Sequence, residues 1–282
     1  MSNTETLSPP RVGHLAQHSV ERAYVTTITN QVYYKGLKVL IKTLRQTKTT
    51  IPIFVMLPTN VEVALKDSVR ALNVTVIECD PIEIPSDSKE ANIMSHWNQT
   101  FFKLNIFRLT QFRKIIYIDA DMLVLQNIDH LFEYPSITGT TGGKAAHPEW
   151  HECNSGLLVI EPDQLLFEQM VACINPAIER RKALGLGYGD QDVVNQFYPN
   201  WHNEPEHNFG EQYNAECPFL DALMESCGYT DFSELYVLHY IGANKIWNNS
   251  LIRNLRIIRG CFHEKKPFEA KAYLLYLQHL YI

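Results

Sequence analysis

Residues 113–132 read RKIIYIDADMLVLQNIDHLF, and no other stretch limits the available folds as much. The apolar run Ile115-Ile116-Tyr117-Ile118 ends on Asp119-Ala120-Asp121, and a second apolar run begins at Met122. A short continuous apolar run bounded by charge fits a strand buried on both faces, as in a parallel sheet covered by helices. In such sheets ligands bind beyond the carboxyl ends of the strands, where Asp119 and Asp121 fall. Side chains two apart on an extended chain point the same way. Two carboxylates so placed repel each other, and their burial is costly unless a cation joins them. A hard divalent ion, Mg²⁺ or Mn²⁺, removes that cost with oxygen ligands and bridges to a substrate diphosphate. The plainer reading is a surface turn whose aspartates cap a helix. Apolar runs on both sides leave little solvated surface for such a turn.

The remaining pattern supplies the sheet. Residues 23–29 (AYVTTIT) and 51–57 (IPIFVML) read as strands, and VTVIECD, from Val74, as a third. Between them, Leu37, Leu40, Ile41 and Leu44 recur at helical spacing, and VEVALKDSVRAL forms a second helix. A helix follows over NQTFFKLNIFRLTQF with Phe102, Ile106 and Leu109 on one face, then the aspartate strand and a strand at 154–162. DQLLFEQMVACI, DQDVVNQFY and the tail FEAKAYLLYLQHLYI read as helices. The alternation predicts an α/β protein built from βαβ units, with a mostly parallel central sheet flanked by helices.

Length and composition narrow the function. With 282 residues, 45% of them apolar, the chain can build one large domain. Residues 1–21 are polar, contain Pro9-Pro10 and read as a flexible leader; residues 22–282 form the domain. A net charge of −6 argues against a basic nucleic-acid-binding surface. The six cysteines form no CxxC pair and fit free thiols in a reducing compartment. No signal-peptide core and no window long enough for a membrane span are present, so a cytoplasmic location is expected.

A third candidate metal ligand lies far downstream in ELYVLHYIGANKIW, residues 234–247. LYVLHY reads as a strand with His239 at its end. A lone histidine is more often a packed residue than a ligand, but Gly242 and Lys245 follow in one short loop. Glycine permits close backbone approach and lysine offers a point charge to phosphate, so the group reads as a diphosphate lid. The chain carries no GxGxxG after its first strand, no GxxxxGK[ST] and no GxSxG. Dinucleotide, P-loop and serine-hydrolase readings are weakened accordingly.

Four blocks in order, LTQFRKIIYIDADMLVLQNIDHLF, CNSGLLVIEP, GDQDVVNQFY and HYIGANKIW, resemble the retaining glycosyltransferases of family 8, the glycogenin and galactinol synthase group. The resemblance spans roughly residues 23–249. It implies a GT-A fold, a single Rossmann-like domain, a UDP-sugar donor and Mn²⁺ or Mg²⁺. It also implies a hydroxyl acceptor (polyol, glycan or protein), hexosyl transfer with retention and, by analogy, a homodimer. By motif match, Asp119, Asp121 and His239 would hold the metal, and Ala120 would lie against the donor. Thr27, Thr29, Asn30 and Tyr33 match the uridine-binding stretch, and Lys103 matches a helix lysine facing the donor. Asn154, Ser155, Asp190 and Gln191 would meet the sugar, and Gly242 and Lys245 the diphosphate. Asp190 and Gln191 would also face the oxocarbenium-like centre, with Lys245 stabilising the leaving UDP. Departures are Ile246 for the usual proline, Met94 at a frequent arginine position and His147 where glycogenin is acidic. No tyrosine stands where glycogenin modifies itself, although Tyr229 is near. A catalytically silent UDP-sugar-binding scaffold or sensor is the alternative; intact Asp119, Asp121, His239 and Lys245 argue against it.

Overall fold

The computed structural model describes residues 11–12, 20–93 and 95–282; Met94 and most of the expected leader lie outside them. Among the described residues, seven strands form one sheet in the order β1-β4-β3-β2-β5-β8-β7. They are β1 (Arg11–Val12), β2 (Val20–Thr27), β3 (Ile53–Pro58), β4 (Thr75–Cys79), β5 (Phe112–Ile118), β7 (Thr138–Thr140) and β8 (Asn154–Ile160). The four central strands β4, β3, β2 and β5 are parallel, and β1, β8 and β7 join antiparallel at the edges. The first long strand starts at Val20 rather than 23, and Arg11–Val12 pair with Glu78 and Ile77, so part of the leader lies along the sheet edge.

Alternation along the strands divides the core, because successive side chains face opposite sides of a sheet. Val55 and Leu57 pack against α1 (Tyr34–Gln46) and α2 (Val63–Arg70) through Leu37, Ile41, Leu65 and Val69. Val25, Phe54 and Met56 face the opposite layer, which holds α4 (Gln164–Ala172), α5 (Ile174–Ala183) and α6 (Asp190–Phe197). The short α3 (Ser86–Ala91) leads into Ser95–Arg108, which winds as a 3₁₀-helix instead of the expected α-helix. Residues 101–109 are all buried, so this segment has no polar face and no amphipathic period to keep.

A second, three-stranded sheet lies below the main one: β6 (Met122–Val124), β10 (Val237–His239) and β9 (Ala215–Glu216), with β10 central. It packs with α7 (Leu220–Cys227), α8 (Leu251–His263) and α9 (Pro267–Tyr281) around Leu123, Leu238, Trp247 and Tyr276. β10 was expected to run through Tyr240 and instead ends at His239, where the chain turns into the Gly242–Lys245 loop.

Candidate functional site

Strand order reverses beside β2: β3 and β4 lie to one side and β5 to the other. The crevice outside the carboxyl ends of strands at such a reversal is where open α/β sheets take ligands. Four chain segments meet here. β5 delivers Asp119, and the turn into β6 delivers Asp121. Antiparallel pairing of β8 with β5, closed by the Asp119 N–H donating to the Gly156 carbonyl (2.8 Å), sets Asn154 and Ser155 alongside. The small sheet brings His239 opposite Met122, and the Tyr240 N–H donates to the Asp121 carbonyl (3.0 Å). Register, not sequence proximity, unites His239 with the aspartates.

Close approach depends on two glycines. A Cβ on Gly156 would stand 2.7 Å from both the His239 ring and the Met122 methyl. A Cβ on Gly36 would stand 2.7 Å from the Ala120 carbonyl, so α1 can press its first turn against the aspartate turn.

Each aspartate has its own lysine. Lys103 Nζ lies 3.1 Å from Asp119 and 2.8 Å from Asp190, and also reaches Ser155 Oγ (3.2 Å). Lys245 Nζ lies 2.5 Å from Asp121 Oδ2 and donates to the Tyr240 carbonyl at 3.0 Å. His239 Nε2 stands 3.3 Å from Asp121 Oδ1, and the Tyr117 hydroxyl donates to Asp119 Oδ1 at 2.6 Å. Burial opposes ionisation of both carboxyls. For Asp119 it prevails over the Lys103 charge, helped by repulsion from Asp121 and Asp190, and the pKa is raised. For Asp121, Lys245 and His239 more than offset burial, and its carboxyl is held well below the usual carboxylate range. Burial alone would lower the pKa of either lysine; the neighbouring aspartates raise both instead.

One oxygen or nitrogen from each of Asp119, Asp121 and His239 fits within a mutual 4.8 Å, the spread of ligand atoms around a single ion. Hydrogen bonding prepares the imidazole. The Gly156 N–H donates to Asn154 Oδ1 (2.8 Å), which also accepts from Asn214 Nδ2 (2.9 Å); this fixes both amide orientations. Asn214 Oδ1 therefore accepts from His239 Nδ1 (2.8 Å), leaving Nε2 as the atom that faces Asp121. Nε2 and the Asp121 oxygen are thereby placed where a divalent ion could be shared between them. The donor set of two carboxylates and one imidazole suits a divalent cation of the Mg²⁺ or Mn²⁺ kind.

The other expected residues divide by place. Ser155 Oγ donates to Asp190 Oδ2 (2.7 Å), and Ser155 N–H reaches Gln191 Oε1 at 3.4 Å, so the residues expected to face the sugar assemble at the start of α6. Asp190 does not cap that helix with its side chain: Gly189 stands at the N-cap position, and Asp192 accepts the Gly189 N–H (2.8 Å). Thr29 and Asn30 both donate to Gln99 Oε1, at 2.7 and 2.8 Å, beyond the end of β2. Thr27 donates instead to the Met56 carbonyl within the sheet (2.8 Å). Tyr33 packs edge-on against Trp247, whose Nε1–H donates to the Val32 carbonyl (2.7 Å), tying the helical turn after β2 to the loop that carries Lys245. Gly242 has φ +96°, a backbone region that favours glycine.

Asn214 and Glu216 escape the sequence reading. Glu216 accepts from Asn154 Nδ2 (2.8 Å) and is buried; burial raises its pKa. Neither residue carries a local signal, because Glu216 and Asn214 meet Asn154 across 62 and 60 positions and Asn214 meets His239 across 25.

The fold is that of the GT-A glycosyltransferases. The galactosyltransferase LgtC, solved with donor and acceptor sugar analogues, overlays with a TM-score of 0.62 at 17% identity over 92% of this chain and 96% of its own. The glycosyltransferase GlyE of Streptococcus pneumoniae overlays with a TM-score of 0.60 at 16% identity over 93% of this chain and 61% of its own. The description of glycosyl transferase family 8 matches residues 24–250, and the chain belongs to that family. Among curated relatives, the putative UDP-glucuronate:xylan alpha-glucuronosyltransferase 3 of Arabidopsis thaliana is 37% identical over 158 residues, 55% of this chain. Glycogenin-1 of Oryctolagus cuniculus is 28% identical over 254 residues, 86% of this chain and 71% of its own. The chain spans 23% of the xylan enzyme's length.

Proposed function

We propose that this glycosyltransferase moves a hexosyl group from a UDP-sugar to a hydroxyl acceptor with retention of anomeric configuration. The observation that carries the reading is the Asp119, Asp121 and His239 cluster, its ligand atoms within 4.8 Å of one another and flanked by two buried lysines. These three residues would hold Mn²⁺ or Mg²⁺, which supplies charge neutralisation for the donor diphosphate. Lys245 pairs with Asp121, and a cation held on that carboxylate would leave the lysine charge to the diphosphate. Thr29, Asn30 and Tyr33 line the uridine side, with Thr27 and Ala120 supporting it from the strand ends. Asp190, held by Lys103 and Ser155, and Gln191 present oxygens to the anomeric centre as it gains oxocarbenium character. The glycosidic bond breaks with its electron pair on the departing diphosphate oxygen. The acceptor oxygen forms the new bond and gives its proton to that oxygen.

Residues 22–282 form the transferase domain in this reading. A cytoplasmic setting belongs to this reading, supported by cysteines that stand free among the described residues. A screen of UDP-sugars with Mn²⁺, reading UDP release, tests the reading. Release from at least one donor, lost on chelation and in Asp121→Asn, is expected. Donor binding with no release from any donor would instead identify a silent sugar-nucleotide-binding protein.

A further inference from the structure

α8 turns an unusual face outward. Its inward side buries Asn254, Ile258 and Cys261. Outward, Leu251, Leu255 and Phe262 are 52, 51 and 56% exposed and share one stripe at helical spacing, with Ile252 beside them at 65%. Arg256 and Arg259 flank that stripe, and Arg253 lies on the far side; all three are exposed. None of the three forms an ion pair among the described residues, and residues 251–263 contain no Asp or Glu. Residues 251–282 carry six Lys and Arg against two Glu, a local +4 in a chain of net charge −6. α9 packs between α8 and α1. On α1, Lys35, Lys38, Lys42 and Arg45 join His279 around a cleft of about 530 Å³ whose lining holds no Asp or Glu.

We infer that the outward face of α8 docks on a bilayer containing acidic phospholipids, with Leu251, Ile252, Leu255 and Phe262 entering the interface and the arginines meeting the headgroups. A surface helix normally buries its large apolar side chains, and a contiguous exposed set marks an interaction site. An amphipathic helix with bulky apolar residues beside Arg, lying in the interface plane, is the form peripheral membrane proteins use. A second copy suits the face less well. An isologous contact sets the same patch against itself, bringing unpaired arginines together with no carboxylate between them. The charge and the apolar stripe are together satisfied by an anionic layer over a hydrocarbon one. Docked in this way the chain lies on the bilayer surface; no helix among the described residues is long and apolar enough to cross a membrane. The inference does not depend on which sugar is transferred.

Flotation of the full chain with phosphatidylcholine vesicles, with and without 30% phosphatidylserine, tests it. Co-flotation with the acidic vesicles only, weakened at high salt, is expected. Each cation near such a surface contributes about 1 kcal/mol, so Arg256→Gln with Arg259→Gln should weaken partition about thirtyfold. Leu255→Ser with Phe262→Ser should also release the protein, at an unchanged thermal midpoint. Absence of flotation, or flotation indifferent to both double variants, overturns the proposal. So does lipid-free self-association in ultracentrifugation that Leu255→Ser abolishes, which would assign the face to a second copy. Binding to polyglutamate as tight as to vesicles and insensitive to the Leu255 and Phe262 changes would assign it to an acidic protein.

Discussion

Gly156 decides whether His239 can reach Asp121. An added methyl there meets the imidazole and Met122 at 2.7 Å, and neither the β8 backbone nor the three-stranded sheet can give way freely. Gly156→Ala should cost about 1–3 kcal/mol in urea unfolding, the usual range for overpacking. It should also weaken Mn²⁺ binding in calorimetry; unchanged metal affinity would mean that His239 is not a ligand. A second residue reports through pH. Burial pushes Asp192 up from 3.8 to about 6, against the Arg181 guanidinium at 3.0 Å and the Gly189 N–H, which favour ionisation. With the folded value raised, the contribution of Asp192 to stability is full below about pH 4 and is lost as pH rises through about 6. Asp192→Asn should flatten that part of the stability profile in urea titrations between pH 4 and 7; an unaltered slope would refute the shift. At this scale the sequence shows chemistry better than partners. Asp119, Asp121 and His239 are readable because strand ends and a charge clash single them out. Asn214, which orients the imidazole, is not readable, since its two hydrogen bonds are made across 25 and 60 positions.

At the scale of elements, the loop from β10 to α8 carries Gly242 and Lys245 away from His239, and under the proposed function it grips the diphosphate. Gly242 holds φ +96° with nothing within 4 Å of a would-be Cβ, so Gly242→Ala strains the backbone without a clash. It should raise the KM for the donor severalfold and leave the thermal midpoint within a few degrees, since strain at one such position costs on the order of 1–3 kcal/mol. Wild-type donor kinetics in that variant would show that the loop does not grip the diphosphate. The alternating strands and helices around the main sheet are legible because the strands are short continuous apolar runs and the helices repeat their apolar residues at a period of 3.6. Two elements are less so. Ser95–Arg108 is legible as a helix, but its 3₁₀ winding is not, because residues 101–108 are buried all round. α8 is absent from the sequence reading although Ser250 caps it, accepting from Arg253 N–H (3.3 Å), and although its apolar and arginine residues fall on different sides.

Over the whole molecule, the two sheets are held in one arrangement by interactions that converge on the crevice: Gly36 against Ala120, Trp247 on Val32, and Lys245 on Asp121. Ligands that occupy the crevice bind only the folded chain, so Mn²⁺ with UDP at about a hundred times their dissociation constants should add about 2.7 kcal/mol to stability. Chelation should reverse the rise in thermal midpoint, and His239→Ala should abolish it; a midpoint indifferent to Mn²⁺ would argue against a metal at this place. The family and fold are legible over most of the chain because four separated blocks fall in order. The pairing of strands from residues 122, 216 and 239 is fixed by long-range register, which no local pattern records.

Anomalous diffraction at the manganese edge, from crystals grown with UDP and Mn²⁺, tests the central claim most directly. One peak bounded by Asp119, Asp121 and His239, with Lys245 released from Asp121 and turned to the diphosphate, is the predicted result. UDP in the crevice with no peak among those three side chains, and Lys245 still on Asp121, would contradict it.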